Sequence, residues 1–139
     1  LYPKSQLNMI TGIGTDLIEV DRLAGKISKD EGFRELVFSP NEILYCEGKA
    51  NKYQHYAARF AAKEAFLKAI GTGWISGIAF NEIEISNDKN GKPLLNLVGA
   101  TSKFLEAYGI GKTWVSLSHL STISSAVVIL EKQLSDADE

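Results

Sequence analysis

The sequence predicts an α+β fold, and two observations carry the prediction. A long stretch from Tyr53 to Ile70 repeats at helical spacing, whereas the segments on either side of it are short, β-branched and alternating. Glycine breakers at Gly48, Gly71 to Gly77, Asn90-Gly91 and Gly109 to Gly111 then cut the chain into the order β, α, α, β, β, α, β, β. The first strand is Met9 to Val20, followed by a turn or short helix near Asp21 to Ile27. Ser39-Pro-Asn-Glu42 supplies a cap, a proline at the first helical position and an acid at the third, so a helix runs from there to about Glu47 and stops at Gly48. In the long helix Ala57, Phe60, Ala61, Glu64 and Leu67 share one face, and Gly71 ends it. Strands at Phe80 to Ser86 and Leu94 to Val98 form a hairpin about Asn90-Gly91. A helix from Thr101 to Tyr108 leads to two closing strands, Trp114 to Ser118 and Ser125 to Leu130.

At 139 residues, with 45% hydrophobic and 23% charged content, the chain has the size and composition of one domain with a core. Lys plus Arg total 15 against 17 for Asp plus Glu, a net charge of -2 that leaves no basic surplus for coating a nucleic acid. Apolar runs such as Ala126 to Leu130 fall far short of the roughly 20 residues needed to span a bilayer, so a soluble chain with no membrane partner is expected. The single cysteine, Cys46, has no internal disulfide partner, and neither it nor His55 and His119 form a zinc pattern; a cytoplasmic setting fits. Leu1 to Asn8 lack the apolar core of a secretory signal and read as an appended or untethered leader. The domain is expected over 9–132, with 133–139 a polar tail.

Two places carry chemistry. Gly12, Gly14 and Asp16 alternate onto one strand face, and the glycines imply a close approach by a chain segment or a ligand, or else a tight bend beside a surface acid. Glu64 lies among Phe60, Ala61 and Leu67; it is either a desolvated acid that needs a proton, a partner or a cation, or half of an ordinary i,i+4 ion pair with Lys68. Two acids with cleared space and the cations Arg59, Lys63 and Lys68 suit a magnesium-assisted reaction on a phosphate ester. Neither GxxxxGK[ST] nor GxGxxG occurs. His119 shares a strand face with Val115 and Leu117, as a structural histidine or, at the strand end, as a donor to phosphate; His55 reads as solvated and Cys46 as packed.

Gly12-Ile-Gly-Thr-Asp16-Leu-Ile-Glu-Val-Asp-Arg22, Arg59-Phe-Ala-Ala-Lys-Glu64-Ala-Phe-Leu-Lys68 and Ser116-Leu-Ser-His119, in that order, resemble the phosphopantetheinyl transferases, in particular their short holo-acyl-carrier-protein synthase branch. The resemblance covers Met9 to about Lys132. It implies the compact α+β fold of that family, assembled as a homotrimer with active sites at the subunit interfaces. It implies transfer of 4′-phosphopantetheine from coenzyme A to a serine of apo-acyl carrier protein, releasing adenosine 3′,5′-bisphosphate, in support of fatty acid biosynthesis. Carried onto this chain, Asp16 and Glu64 become magnesium ligands, Lys68 sits by the reacting phosphate, and Arg59, Lys63 and His119 hold the phosphates of coenzyme A. Glu64 is the first choice to accept the serine proton, and Arg22 faces the acidic carrier.

Overall fold

Residues 7–71 and 76–133 are described by the computed structural model. Strand β1 (Asn8–Glu19) lies directly on the long helix α4 (Lys52–Ile70), because Gly12 and Gly14 present no side chain to it. A Cβ at Gly14 would collide with the Ala65 carbonyl oxygen and stand 2.7 Å from the Ala69 nitrogen, and one at Gly12 would collide with the Ala69 carbonyl oxygen. The close approach expected at the glycines is therefore made by a chain segment.

Between β1 and α4 come three helices, α1 (Val20–Ser28), α2 (Phe33–Val37) and α3 (Pro40–Glu47); the five residues of α2 carry too little periodicity to have been expected. After α4 follow the hairpin β2 (Ile83–Asn87) and β3 (Pro93–Leu97), the short helix α5 (Phe104–Ala107), then β4 (Lys112–His119) and β5 (Ile123–Gln133). Strands β1, β5 and β4 form one antiparallel sheet in that order, and β2 with β3 forms a second. Asn8 pairs with Gln133, so the sheet extends one residue beyond the expected 9–132 domain at each end. The rest of the expected leader and tail, apart from Leu7, lies outside the described residues.

Two elements differ from expectation. Phe80–Glu82 is a 3-10 turn, and the strand starts at Ile83, because the Glu82 carboxylate is engaged by Thr101 Oγ1 at 2.8 Å and by the Ala100 and Thr101 N–H groups. The segment expected as one helix over Thr101 to Tyr108 is a 3-10 turn, Gly99–Lys103, running into the single turn of α5.

Helix α4 is buried around most of its circumference rather than along one stripe. The three-stranded sheet packs on one side of it through Ala126, Val128 and Leu130, while α1 to α3 cover its N-terminal half through Val20, Leu23, Phe38 and Cys46. Cys46 is fully buried, and burial pushes its thiol up to about 12, as expected of a packing residue.

A buried ion pair ties the helices to the hairpin. Ser39 and Glu42 form the expected capping box at α3. Glu42 Oε1 accepts from the Ser39 N–H at 2.9 Å and from Lys63 Nζ at 2.8 Å, and its Oε2 accepts from the Ile85 N–H at 3.0 Å. Lys63 Nζ also donates to the carbonyls of Phe80, at 2.8 Å, and Ile83, at 2.5 Å, and both side chains of the pair are 0% exposed. Burial pulls the Lys63 ammonium below the ordinary lysine value, and the Glu42 carboxylate opposes that pull.

Gly14→Ala should cost about 3 kcal/mol in urea denaturation, since the added methyl meets helix backbone that cannot rotate away. Lys63→Met should cost about 3–5 kcal/mol by leaving Glu42 charged and unpaired in the core. Adding Glu42→Gln to it should restore part of the loss, because it removes the unpaired buried charge, although one amide oxygen can accept from only one of the Ser39 and Ile85 N–H groups.

Candidate active site

Asp16 follows Gly14 on the strand face that meets α4, and Glu64 and Lys68 stand one turn apart on α4 itself. Both acids line one open cavity of about 520 Å³, together with Arg22, Lys26, Phe60 and Ile123. Neither acid is deeply buried: Asp16 and Glu64 are half-buried at the edge of the helix packing. Lys68 does not pair with Glu64, its neighbour one turn away. Its Nζ reaches across to Asp16 Oδ1 at 3.0 Å and to the Thr15 carbonyl at 3.0 Å. Glu64 is left with a proton affinity above the usual carboxylate range, chiefly through burial and then through the facing Asp16 charge, with Lys68 and Lys26 pulling the other way.

A second, smaller cavity of about 180 Å³ shares no lining residue with the first and is lined by Tyr45, His55, Arg59, Asn87 and His119 among others. Arg59 is 2% exposed, yet only part of its guanidinium is satisfied. Its Nη2 donates to Asn87 Oδ1 at 2.7 Å and its plane lies 4.1 Å over the Tyr45 ring, while the buried Nε has no partner among the described residues. Such a cation is suited to an incoming anion. His119 is exposed at the end of β4, with Nδ1 2.7 Å from Gln54 Oε1, so it is not the core histidine that alternation allowed. His55 is half-buried rather than solvated, its ring centroid 5.3 Å from that of His119. Burial and the neighbouring imidazole lower its affinity for a proton.

The sequence-predicted residues therefore separate. Asp16, Glu64, Lys68 and Arg22 gather at the first cavity, and Arg59 and His119 at the second. Lys63 joins neither: its ammonium is spent on Glu42 and two carbonyls, which corrects its expected place among the phosphate-holding cations. Tyr45, Gln54, Asn87 and Lys26 were not expected. Their positions come from tertiary contacts between α3, α4, β2 and α1, for which local patterning carries no signal.

The carboxylates of Asp16 and Glu64, in an open, half-buried site, are the hard oxygen donors that suit a cation keeping several waters, as magnesium does. Asp16→Asn should lower the Glu64 titration midpoint, followed by NMR of the side-chain carboxyl carbon, because it removes the facing charge. An unmoved midpoint would show that the two acids do not share a field.

Known proteins resemble this chain along most of its length. The holo-[acyl-carrier-protein] synthase of Cytophaga hutchinsonii is 49% identical over 126 residues, covering 89% of this chain and 99% of the relative. That of Syntrophus aciditrophicus is 50% identical over 124 residues, covering 88% and 97%. The crystal structure of holo-[acyl-carrier-protein] synthase from Neisseria meningitidis superposes with a TM-score of 0.82 at 38% identity, covering 89% of this chain and all of that one. The Bacillus anthracis holo-(acyl-carrier-protein) synthase, solved in complex with CoA (3′,5′-ADP), matches with a TM-score of 0.73 at 35% identity, covering 89% and 98%. Residues 12–122, from the first glycine packed on α4 to the turn before β5, match the model of the 4′-phosphopantetheinyl transferase superfamily, and the chain belongs to that family.

Proposed function

We propose that this protein transfers the 4′-phosphopantetheine group of coenzyme A to a serine of apo-acyl carrier protein, releasing adenosine 3′,5′-bisphosphate, in support of fatty acid biosynthesis in the cytoplasm. The observation that carries the reading is the meeting of Asp16 and Glu64 in one open cavity beside Lys68. It is supported by relatives named holo-[acyl-carrier-protein] synthase and by related structures solved with coenzyme A.

Asp16 and Glu64 would hold magnesium, which when bound neutralises the diphosphate of coenzyme A and stabilises the oxygen that leaves with the adenosine portion. Lys68, exposed and tethered only to Asp16 and one carbonyl, is free to move onto the reacting phosphate. Arg59, through its unsatisfied Nε, and His119 hold phosphate in the second cavity. Glu64 accepts the serine proton, since a carboxylate beside a cation is ionised at neutral pH. Arg22 and Lys26 at the rim of the acid cavity offer positive charge to an acidic carrier.

The assembly we propose is a homotrimer whose active sites lie at subunit interfaces. The face of the three-stranded sheet turned away from α4 carries Ile13, 64% exposed, and Leu17, 71% exposed, with Trp114 and Ile123 on the same side. An apolar sheet face of this kind calls for cover by another copy. The acid cavity and the Arg59 cavity are separate within one chain, so a subunit boundary is where one copy's acids can meet another's phosphate-holding cations.

Incubation with coenzyme A, magnesium and apo-acyl carrier protein should add the mass of one phosphopantetheine group to the carrier, read by mass spectrometry. Asp16→Ala and Glu64→Ala should each lower turnover by about 10²–10³-fold without changing the assembly, as expected for loss of transition-state charge stabilisation. A carrier left unmodified under conditions where an active relative modifies it would overturn the proposal.

A further inference from the structure

Strand pairing sets His119 of β4 opposite Ser124 of β5 on one sheet face, and both side chains come down on a single residue of α4. His119 Nδ1 lies 2.7 Å from Gln54 Oε1, and Ser124 Oγ donates to the Gln54 main-chain carbonyl at 3.0 Å. Gln54 Oε1 also accepts from Asn51 Nδ2 at 3.3 Å, and Asn51 Oδ1 lies 3.1 Å from His55 Nε2. With Gln54 Oε1 the atom that faces Nδ1, neutral His119 pairs with it in the Nδ1–H form. The ring lines the Arg59 cavity, and among the described residues its Nε2 makes no hydrogen bond, so Nε2 is the nitrogen left for an incoming group.

We infer that Gln54 is a positioning residue for coenzyme A binding, holding His119 in the Nδ1–H form so that Nε2, on protonation, can donate to a phosphate oxygen beside Arg59. The inference rests on the reading of His119 given under the proposed function. A glutamine suits the task because it orients the ring without fixing its charge. A carboxylate there would favour the imidazolium whether or not ligand is bound, whereas the neutral amide adds no charge of its own. The other titratable and charged groups around the ring are His55, Tyr45 and Arg59 in the same cavity, with Lys49 Nζ 4.7 Å over the Tyr45 ring. Ser124, which is fully buried, fixes the Gln54 backbone to the strand next to the one carrying His119, so ring and amide are registered by the sheet itself.

The test uses the assembled protein with Gln54→Leu, Gln54→Glu and His119→Ala. Gln54→Leu should raise KM for coenzyme A about tenfold with kcat within about twofold, close to the effect of His119→Ala, since a binding contact remote from the reacting bond is weakened. Gln54→Glu keeps an acceptor of similar shape and should raise the His119 midpoint in an NMR titration without ligand, carrying the pH dependence of KM to higher pH. A His119 midpoint unmoved in Gln54→Glu would overturn the inference, whatever the enzyme does. A raised KM in His119→Ala with an unchanged KM in Gln54→Leu would overturn it while leaving the reading of His119 in place. Unchanged KM in both would remove that reading and the inference with it.

Discussion

The contact between the β1 backbone and the α4 backbone is the constraint on which the site depends. A strand side chain normally keeps a helix about 10 Å away, but at Gly12 and Gly14 nothing intervenes, and the carbonyls of Ala69 and Ala65 fill the space. The next residue on the same strand face is Asp16, and the residues preceding Ala65 and Ala69 on the helix are Glu64 and Lys68. Backbone contact at the glycines therefore dictates that the acid of the strand arrives beside the acid and the cation of the helix. The cavity they line is a consequence of packing that starts two residues earlier.

The charges in that cavity balance in a way that leaves it responsive. Lys68 neutralises Asp16, while Glu64 keeps only distant relief from Lys68 and Lys26 and remains inclined to bind a proton. An ammonium that is 57% exposed on its side chain and bonded to one carboxylate is a weakly held partner, since exposed ion pairs contribute little. The two carboxylates would hold a divalent cation in the proposed reaction, with Lys68 beside them as a mobile ammonium. The Glu42–Lys63 pair is the opposite case: fully desolvated, with all three ammonium protons bonded, and committed to holding α3, α4 and β2 together.

Much of the fold was legible because local signals coincide with tertiary ones. Ser39-Pro-Asn-Glu42 announces a helix start, and Glu42 does cap it; Gly71 is left-handed, with φ of 90°, where the long helix ends. The glycine and carboxylate pattern of β1 pointed to close approach, and only the coordinates tell chain from ligand. What the sequence could not show is which cations are consumed by the core. Lys63 reads as a free basic residue of the signature helix, yet its acceptors come from α3 and from carbonyls about twenty positions along the chain. Gln54 was equally silent: its partners His119 and Ser124 are 65 and 70 residues away, and a polar residue near a helix start carries no pattern of its own.

The residues of α4 fall into parallel rows. Ala61, Ala65 and Ala69 follow one another at i,i+4 spacing, and the last two meet the glycines of β1. Phe60, Glu64 and Lys68 form the adjoining row along the acid cavity, one step round from the alanines. On the other side of Phe60, Arg59 and Lys63 run toward the hairpin: Arg59 takes Asn87 at its far end and borders the second cavity, and Lys63 passes into the core. One helix thus separates close packing, the acid cavity and the Arg59 and Lys63 cations by a single residue of rotation each, about 100° in an α-helix. A register slip of one residue on α4 would bring Glu64 against the β1 backbone and Lys63 into the cavity in one sense, or Phe66 against the backbone and Ala65 into the cavity in the other. The glycine contact and the buried Glu42–Lys63 pair, fixing the same helix from opposite sides, both act against such a slip.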